Sequence, residues 1–210
     1  MNDSSGFSSA RRRAACNAAL AFMAALGATL LPAPSPAETI DEKAQLCAAC
    51  HGETGIPQQT STPVIWGQHQ GYLYLVLRDY KSGARKNDIM SPLAQTLERD
   101  DMMALALYFS QKRWPDLQQP QAPPDIAARA TRANASVGCT GCHQGAYQGE
   151  GTQPRLAGQS REYMQQTMLD FRTRARGNNP GMTDLMLAIS DDDIAALAQY
   201  MAGLQYIAGQ

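Results

Sequence analysis

The chain contains the segment Cys-X-X-Cys-His twice, and a methionine follows each copy at the same distance. The copies are Cys47–His51 and Cys139–His143, and the second lies 92 residues after the first. Met90 and Met182 each lie 39 residues after the histidine of their own copy, so they are also 92 residues apart. A fixed period shared by all these positions indicates two tandem structural repeats that fold in the same way.

The motif is the attachment signature of c-type haem. Two thiols three positions apart can reach the two vinyl groups of one porphyrin, and the adjacent histidine then lies beneath the iron. A methionine on the opposite face gives the His/Met ligation that raises the reduction potential of electron-transfer haems. We therefore predict two covalently bound haem c groups. The predicted cofactor-binding residues are Cys47, Cys50, His51 and Met90 in the first repeat and Cys139, Cys142, His143 and Met182 in the second, with the histidines and methionines as iron ligands.

Other uses of a Cys-X-X-Cys pair fit the chain less well. A zinc site needs a second ligand pair at suitable spacing, whereas here the next pair lies 92 residues away. A thioredoxin-like redox pair is expected in a βαβ setting, which the sequence does not show. One such motif could arise by chance, but two with register-matched methionines argue against chance.

Methionine is usually a core residue, so with ten in the chain the predicted iron ligands have competitors. Met186 lies close to Met182 in the second repeat, while Met102 and Met103 lie on a predicted helix. The match between Met90-Ser-Pro-Leu and Met182-Thr-Asp-Leu favours Met90 and Met182 as the ligands.

The N-terminal segment has the pattern of a secretory signal peptide. Three arginines at positions 11–13 precede an apolar stretch from Ala18 to Leu31, and Ser35-Pro36-Ala37 places small residues at a cleavage site. The apolar stretch is short for a membrane span, although a retained anchor helix or peripheral membrane association is an alternative. Cleavage after Ala37 would send the rest of the chain to the periplasm and would remove Cys16 with the signal.

The remaining composition favours an electron carrier over an enzyme. Removing residues 1–37 takes away three of the 18 basic and one of the 19 acidic residues, and the formal charge becomes −3. An acidic chain of this kind gives no indication of nucleic-acid binding. The four remaining cysteines all belong to the two motifs, so no thiol is left for a disulfide or for catalysis.

The repeat extends well beyond the two motifs. Pro63–Gln68 corresponds to Pro154–Gln159 at an offset of 91, so the second repeat is one residue shorter just after its motif. The same offset relates three further pairs that precede the methionines. These pairs are Tyr72 and Tyr163, Arg85 and Arg176, and Asn87 and Asn178.

Each repeat has the apolar periodicity of a small helical bundle, and we predict an all-α fold of two tandem domains. The domains are expected at 38–113 and 125–210, joined by a stiff proline-rich linker at 114–124. Helices are predicted at 38–49, 69–82 and 99–112 in the first domain and at 125–137, 161–174 and 191–204 in the second, with each methionine in a loop.

Several other residues are candidates for supporting roles. A ligating histidine usually donates its second ring N–H to a carbonyl, and Pro63 and Pro154 could supply that carbonyl or could only shape a turn. Arg85 and Arg176 could pair with haem propionates through bidentate hydrogen bonds, or could be solvated surface residues. His69 is expected at a helix start rather than on iron. Trp66, Tyr72 and Tyr163 are expected to pack against the haems.

Together these motifs resemble the dihaem cytochrome c4 family of bacterial periplasms. The segments that carry the resemblance are Cys-Ala-Ala-Cys-His-Gly, Pro-Val-Ile-Trp-Gly-Gln and Asp88–Leu97 in the first repeat, and Cys-Thr-Gly-Cys-His, Pro-Arg-Leu-Ala-Gly-Gln and Met182–Leu204 in the second. The resemblance implies two class I cytochrome c folds packed face to face, with haem propionates near the interface. The chain departs from the repeat at Ala146–Gly151, which differs from the loop after the first motif.

The resemblance also implies electron transfer between partner proteins. The expected donor is a quinol–cytochrome c reductase or a dehydrogenase, and the expected acceptor is a terminal oxidase. A dedicated electron-transfer subunit of a periplasmic dehydrogenase is the alternative. A dihaem enzyme such as a peroxidase is disfavoured, because it needs an iron open to peroxide whereas this sequence offers a methionine to each iron.

Overall fold

The computed structural model of the protein describes residues 38–204. The predicted signal peptide, residues 1–37, and the last six residues lie outside the described part. Residues 38–204 contain helices and one isolated bridge, Glu150 to Gln153, but no β-strand, which agrees with the predicted all-α fold. None of these helices is long and apolar enough to cross a membrane.

The helices fall into two series that follow the sequence repeat. In the first half they are α1 (Ile40–His51), α2 (Gln70–Ser82), α3 (Met90–Gln95) and α4 (Arg99–Ser110). In the second half they are α5 (Pro124–Val137), α6 (Cys139–His143), α7 (Arg161–Thr173), α8 (Pro180–Leu187) and α9 (Asp191–Ala202).

In the first half, α1, α2 and α4 pack around one apolar cluster. Its buried members are Ala44, Leu73, Leu97, Met102, Leu105, Ala106 and Phe109. α1 begins at a capping box, in which Thr39 accepts from the backbone N–H of Glu42 and Glu42 accepts from that of Thr39. The helix then runs without a break through the first haem motif and ends at His51.

In the second half, α5, α7 and α9 surround a larger apolar cluster. Its largest fully buried side chains are Met186, Ile194 and Leu197. Here the helix before the motif stops, because Gly138 takes a left-handed φ of +71° and α6 starts afresh at the first motif cysteine. Leu46 holds the corresponding position in the first half, where a side chain disfavours that conformation and the helix continues.

The two candidate methionine ligands do not lie in loops, so this part of the prediction was wrong. Met90 opens α3 and Met182 lies in the first turn of α8. The N–H of Met90 donates to Asn87 Oδ1 at 2.9 Å, and that of Met182 donates to Asn179 Oδ1 at 3.2 Å. The hydrogen bond to the methionine N–H therefore pairs Asn87 with Asn179, whereas the sequence match had paired Asn87 with Asn178.

The segment between α4 and α5 contains no helix or strand, but it is not a free spacer. Trp114 is buried, and a Cβ atom added to Gly67 would lie 2.8 Å from the Trp114 nitrogen. Gln119 accepts a hydrogen bond from the N–H of Arg161 at 2.9 Å. Pro124, the last residue of the predicted linker, is the first residue of α5. The linker thus packs against both halves.

Candidate haem-binding sites

The two motif histidines are held in the same way in both halves. His51 Nδ1 lies 2.8 Å from the carbonyl oxygen of Pro63, and His143 Nδ1 lies 2.9 Å from that of Pro154. A carbonyl can only accept, so Nδ1–H donates and Nε2 carries the lone pair of the neutral ring. The predicted proline partners are confirmed, and they fix the tautomer that binds a metal through Nε2.

Burial favours the same protonation state. Both rings are buried, and this burial lowers the pKa of His51 and of His143, although the hydrogen bond to the proline carbonyl opposes the shift. A neutral imidazole is the form that ligates iron, so each ring is prepared for ligation by its surroundings.

The motif cysteines have one partly buried and one exposed member in each half. Cys47 and Cys139 are partly buried, Cys50 and Cys142 are exposed, and none of the four forms a disulfide. Burial raises the pKa of Cys47 to about 11 and raises that of Cys139 as well. Within residues 38–204, no group of three or more His, Cys, Asp or Glu side chains gathers into a metal cluster.

The structure also separates the candidate methionines from their competitors. Met186 is fully buried in the second apolar cluster, while Met182 is only partly buried and packs at the edge of that cluster. Met102 is buried in the first cluster, and Met103 is exposed on α4. Met90 is partly buried, as Met182 is, and both lie at the start of a short helix, where their N–H groups donate to an asparagine side chain.

Two buried arginines reach across from one half to the other. Arg85 Nη2 donates to the hydroxyl of Tyr163 at 3.3 Å, and Arg176 Nη2 donates to the hydroxyl of Tyr72 at 3.5 Å. The alternative that these arginines are solvated surface residues is wrong, because both are buried. The tyrosines were expected against the haems, and the structure places their hydroxyls in the interface between the halves.

The two guanidinium groups are packed against aromatic rings. Arg85 lies 4.7 Å from the ring centroid of Tyr80, and Arg176 lies 4.4 Å from that of Phe171. Burial alone would lower the pKa of Arg85, but the neighbouring tyrosines outweigh it and raise that pKa above its ordinary value. In the described part of the chain, neither guanidinium forms an ion pair with a carboxylate. The interface therefore holds two buried positive charges.

The pKa values of the two tyrosines shift in opposite directions beside this charge. Burial acts to raise the pKa of Tyr163, but the charges of Arg85 and Arg176 outweigh it and the pKa falls below its usual value. The pKa of Tyr72 is raised, first by burial and then by the neighbouring Tyr163. The interface thus favours a negative charge on Tyr163 and disfavours one on Tyr72.

Two buried glutamines join the halves through reciprocal backbone bonds. Gln159 accepts from the N–H of Val64 at 2.8 Å and donates to its carbonyl at 3.0 Å. Gln68 accepts from the N–H of Arg155 at 2.9 Å and donates to its carbonyl at 3.0 Å. Val64 and Arg155 are matched positions of the repeat, so a pseudo-twofold axis relates the two exchanges. Sequence reasoning assigned these glutamines no role, although their matched positions were a signal.

The loop that departs from the repeat also lies in this interface. The His69 Nε2–H donates to the carbonyl of Gln148 at 2.8 Å, and the N–H of Tyr72 donates to that of Gly151 at 3.1 Å. His69 is the N-cap residue of α2, which confirms its expected place at a helix start. The loop around Ala146–Gly151 therefore packs against the first turn of α2.

Comparison with known proteins identifies the family. The cytochrome c family model matches residues 127–205, which lie in the second repeat. Cytochrome c4 of Thiocapsa roseopersicina is 34% identical over 175 residues, which are 76% of this chain and 87% of that protein. The chain belongs to the cytochrome c4 family. The thiosulfate dehydrogenase electron acceptor of Stutzerimonas stutzeri is 33% identical over 172 residues, covering 77% of this chain and 80% of that protein.

A solved structure agrees with this membership. The cytochrome c4 structure from Acidithiobacillus ferrooxidans superposes with a TM-score of 0.70 at 29% identity, covering 77% of this chain and 99% of that one. Covalently bound haem c, expected from the motifs, and the class I cytochrome c fold, implied by the family resemblance, are both confirmed. The chain is an electron-transfer cytochrome, in agreement with relatives named cytochrome c4 and thiosulfate dehydrogenase electron acceptor.

Proposed function

We propose that this cytochrome c4 is a non-enzymatic carrier in which each half holds one haem. The observation that carries the proposal is the His–Pro hydrogen bond, which recurs in both halves and leaves Nε2 of His51 and His143 available. Bound haem supplies a one-electron iron couple. The protein would attach it by thioether bonds from the motif cysteines and would ligate the iron with the histidine on one face. Met90 and Met182 would supply the sulfur on the opposite face.

The buried arginines fit the acidic edge of a haem. A buried cation is costly unless an anion accompanies it, and in residues 38–204 the side-chain hydrogen bonds of Arg85 and Arg176 go to tyrosine hydroxyls and to the amide of Asn178, not to a carboxylate. Haem propionates would supply the missing negative charge. We infer that the two arginines hold propionates at the interface between the halves.

This assignment predicts a change in potential. Replacing Arg85 or Arg176 with glutamine should lower the reduction potential of one haem, because losing a nearby positive charge stabilises the ferric iron. Lysine at the same position should restore part of the lost potential, because it keeps the positive charge but lacks the planar guanidinium group that forms bidentate hydrogen bonds. Potentiometric titration measures both effects, and exposed Arg99 changed to glutamine is the matched control. Potentials equal to that control would contradict the assignment.

A second function is favoured by one group of relatives. Two proteins at 33% and 30% identity are named thiosulfate dehydrogenase electron acceptors. This chain could likewise serve one dehydrogenase as a dedicated acceptor rather than exchange electrons with several donors and a terminal oxidase. Purification from periplasmic extract separates the two, since a dedicated acceptor should co-purify with one dehydrogenase in fixed proportion.

The N-terminal sequence supports export to the periplasm. Its basic residues, short apolar stretch and small residues before Glu38 are those of a secretory signal. We propose cleavage after Ala37, followed by haem attachment to the exported chain.

The first test is the mass of the exported protein. It should begin at Glu38 and carry the mass of two haem groups, because the chain has two complete attachment motifs. Changing both Cys47 and Cys50 to alanine should remove one haem mass and leave the second attached. The matched variant, in which Cys139 and Cys142 are both changed to alanine, should lose the haem of the second half and keep that of the first. One haem mass in the wild-type protein would contradict the proposal.

A further inference from the structure

The second half has one residue more than the first between its buried arginine and its methionine. The methionine of the first half lies five positions after Arg85, whereas that of the second half lies six positions after Arg176. The longer segment contains two consecutive asparagines, Asn178 and Asn179, and the shorter one contains Asn87 alone. The second half can therefore assign to two asparagines what the first half must assign to one.

In the first half the asparagine is used beside the methionine. Asn87 Oδ1 accepts from the N–H groups of Ile89 and Met90, at 3.0 Å and 2.9 Å. In the second half Asn179 makes the corresponding bond to the methionine N–H. The side chain of Asn178 is therefore not needed at the methionine.

Asn178 instead joins a carboxylate of the first half to the guanidinium of the second. Its Nδ2 donates to Asp79 Oδ2 at 2.7 Å, and its Oδ1 accepts from Arg176 Nε at 3.0 Å. An ionised carboxylate only accepts and a guanidinium only donates, so one amide orientation satisfies both bonds. We call Asp79, Asn178 and Arg176 the interface relay.

The matched residues of the repeat make different contacts. Asp170, the counterpart of Asp79, accepts from Gln166 one turn earlier on its own helix at 2.7 Å. The Arg85 guanidinium donates to the Tyr163 hydroxyl, and within residues 38–204 it forms no hydrogen bond to an asparagine or a carboxylate. The interface relay is therefore specific to the longer segment of the second half.

The charge at the far end of the interface relay is balanced on the solvent side. Asp79 is buried, and its second oxygen pairs at 3.0 Å with Arg78, whose side chain is 54% exposed. The amide of Asn178 lies between this ion pair and Arg176. It takes only the Nε–H of that arginine, so N–H groups on the two Nη atoms remain for an anion.

We propose that Asn178 is a positioning residue, which holds the Arg176 guanidinium in the orientation that binds a haem propionate, and that Asp79 anchors Asn178 from the other half. The inference rests on the proposed assignment of Arg176 to a propionate and adds how that arginine is held. An arginine side chain has many rotamers, so without the amide its positive charge would be spread over several positions. Because Arg85 has no such relay, only one of the two haems should depend on it.

A substitution that changes no charge tests the positioning role. Asn178→Leu removes both amide bonds and should lower the reduction potential of the same haem that Arg176→Gln affects. The fall should be smaller than in Arg176→Gln, because the arginine is still present but no longer held, and the other haem should keep its wild-type potential. Asn178→Ala should give the same shift, which separates the lost bonds from the bulk of leucine. Gln166→Leu removes the matched bond to Asp170 and, as the control, should leave both potentials unchanged in potentiometric titration.

A combination of variants shows whether Asn178 acts through Arg176. In the Arg176→Gln background, adding Asn178→Leu should leave the reduction potential where Arg176→Gln alone places it, since no guanidinium remains to be held. A further fall in that background would mean that Asn178 affects the haem by another route, and it would overturn the positioning role.

Two variants separate the charge of Asp79 from its hydrogen bond. Asp79→Asn removes the negative charge but keeps an oxygen that can accept from Asn178, so the reduction potential should not fall. Asp79→Leu combined with Arg78→Leu removes the acceptor together with both charges of the ion pair, and should lower the potential as Asn178→Leu does. An unchanged potential in this double variant would overturn the anchoring role of Asp79.

The same titrations keep the interface relay apart from the propionate assignment. A lowered reduction potential in Arg176→Gln together with unchanged potentials in Asn178→Leu would overturn the relay alone. Unchanged potentials in Arg176→Gln would show that this arginine holds no propionate, and the assignment and the relay would then both be wrong.

Discussion

Replacing Met90 or Met182 with alanine should lower the potential of one haem and leave the other unchanged. The thioether favours ferrous iron, so a water or nitrogen ligand in its place stabilises the ferric state. We expect a fall on the order of 0.1 V or more, a fraction of the roughly 0.8 V over which axial ligands set haem potentials. Each variant should also lose about half of the weak near-infrared absorption that sulfur–iron ligation gives to the oxidised protein.

The matched control for this result is Met186. Its side chain is fully buried in the second apolar cluster, so Met186→Ala should cost about 2–5 kcal/mol of unfolding free energy and leave the near-infrared absorption intact. The opposite pattern, with the absorption lost in Met186→Ala and kept in Met182→Ala, would show that the second iron takes Met186. Urea unfolding and absorption spectra of the three variants decide between these outcomes.

Local sequence patterns were sufficient for the longer helices. The middle helix expected at 69–82 begins one residue later, at Gln70, and the helix expected at 191–204 begins at Asp191, after a capping box formed by Ser190 and Asp193. Periodicity failed at α3 and α8, which are only 6 and 8 residues long. Helices of one or two turns have too few apolar positions to show a period, and the prolines near their starts suggested turns.

The contacts between the halves could not be predicted in the same way. The repeat pairs Arg85 with Arg176 and Tyr72 with Tyr163, but it does not say that each arginine contacts the tyrosine of the other half. Such a contact depends on how the two halves pack, and a pattern within one repeat carries no information about that packing. The motif histidines were predictable together with their proline partners, because these contacts lie within one repeat.

The paired glutamines should hold the halves together. Truncating Gln159 to alanine leaves the buried N–H and carbonyl of Val64 without these partners. The loss should lower the free energy of unfolding by about 1–3 kcal/mol for each group. Gln68→Ala removes both of its hydrogen bonds to the Arg155 backbone, and its cost should be smaller because these bonds are only partly buried. The two glutamines bond different backbone segments across the interface, so the double variant should lose more stability than either single variant. We expect that variant to unfold in two steps instead of one.

Weaker packing should also slow electron exchange between the haems, because the linker alone would then set their separation. This exchange can be followed after rapid reduction of one haem in the intact double variant. Gln45→Ala, an exposed position on α1, is the matched control and should behave as the wild type. Gln159→Glu should fall between the wild type and Gln159→Ala, since a carboxylate can still accept from the Val64 N–H but cannot donate to its carbonyl. One cooperative transition with unchanged exchange in the double variant would mean that the arginine and tyrosine contacts suffice to hold the halves together.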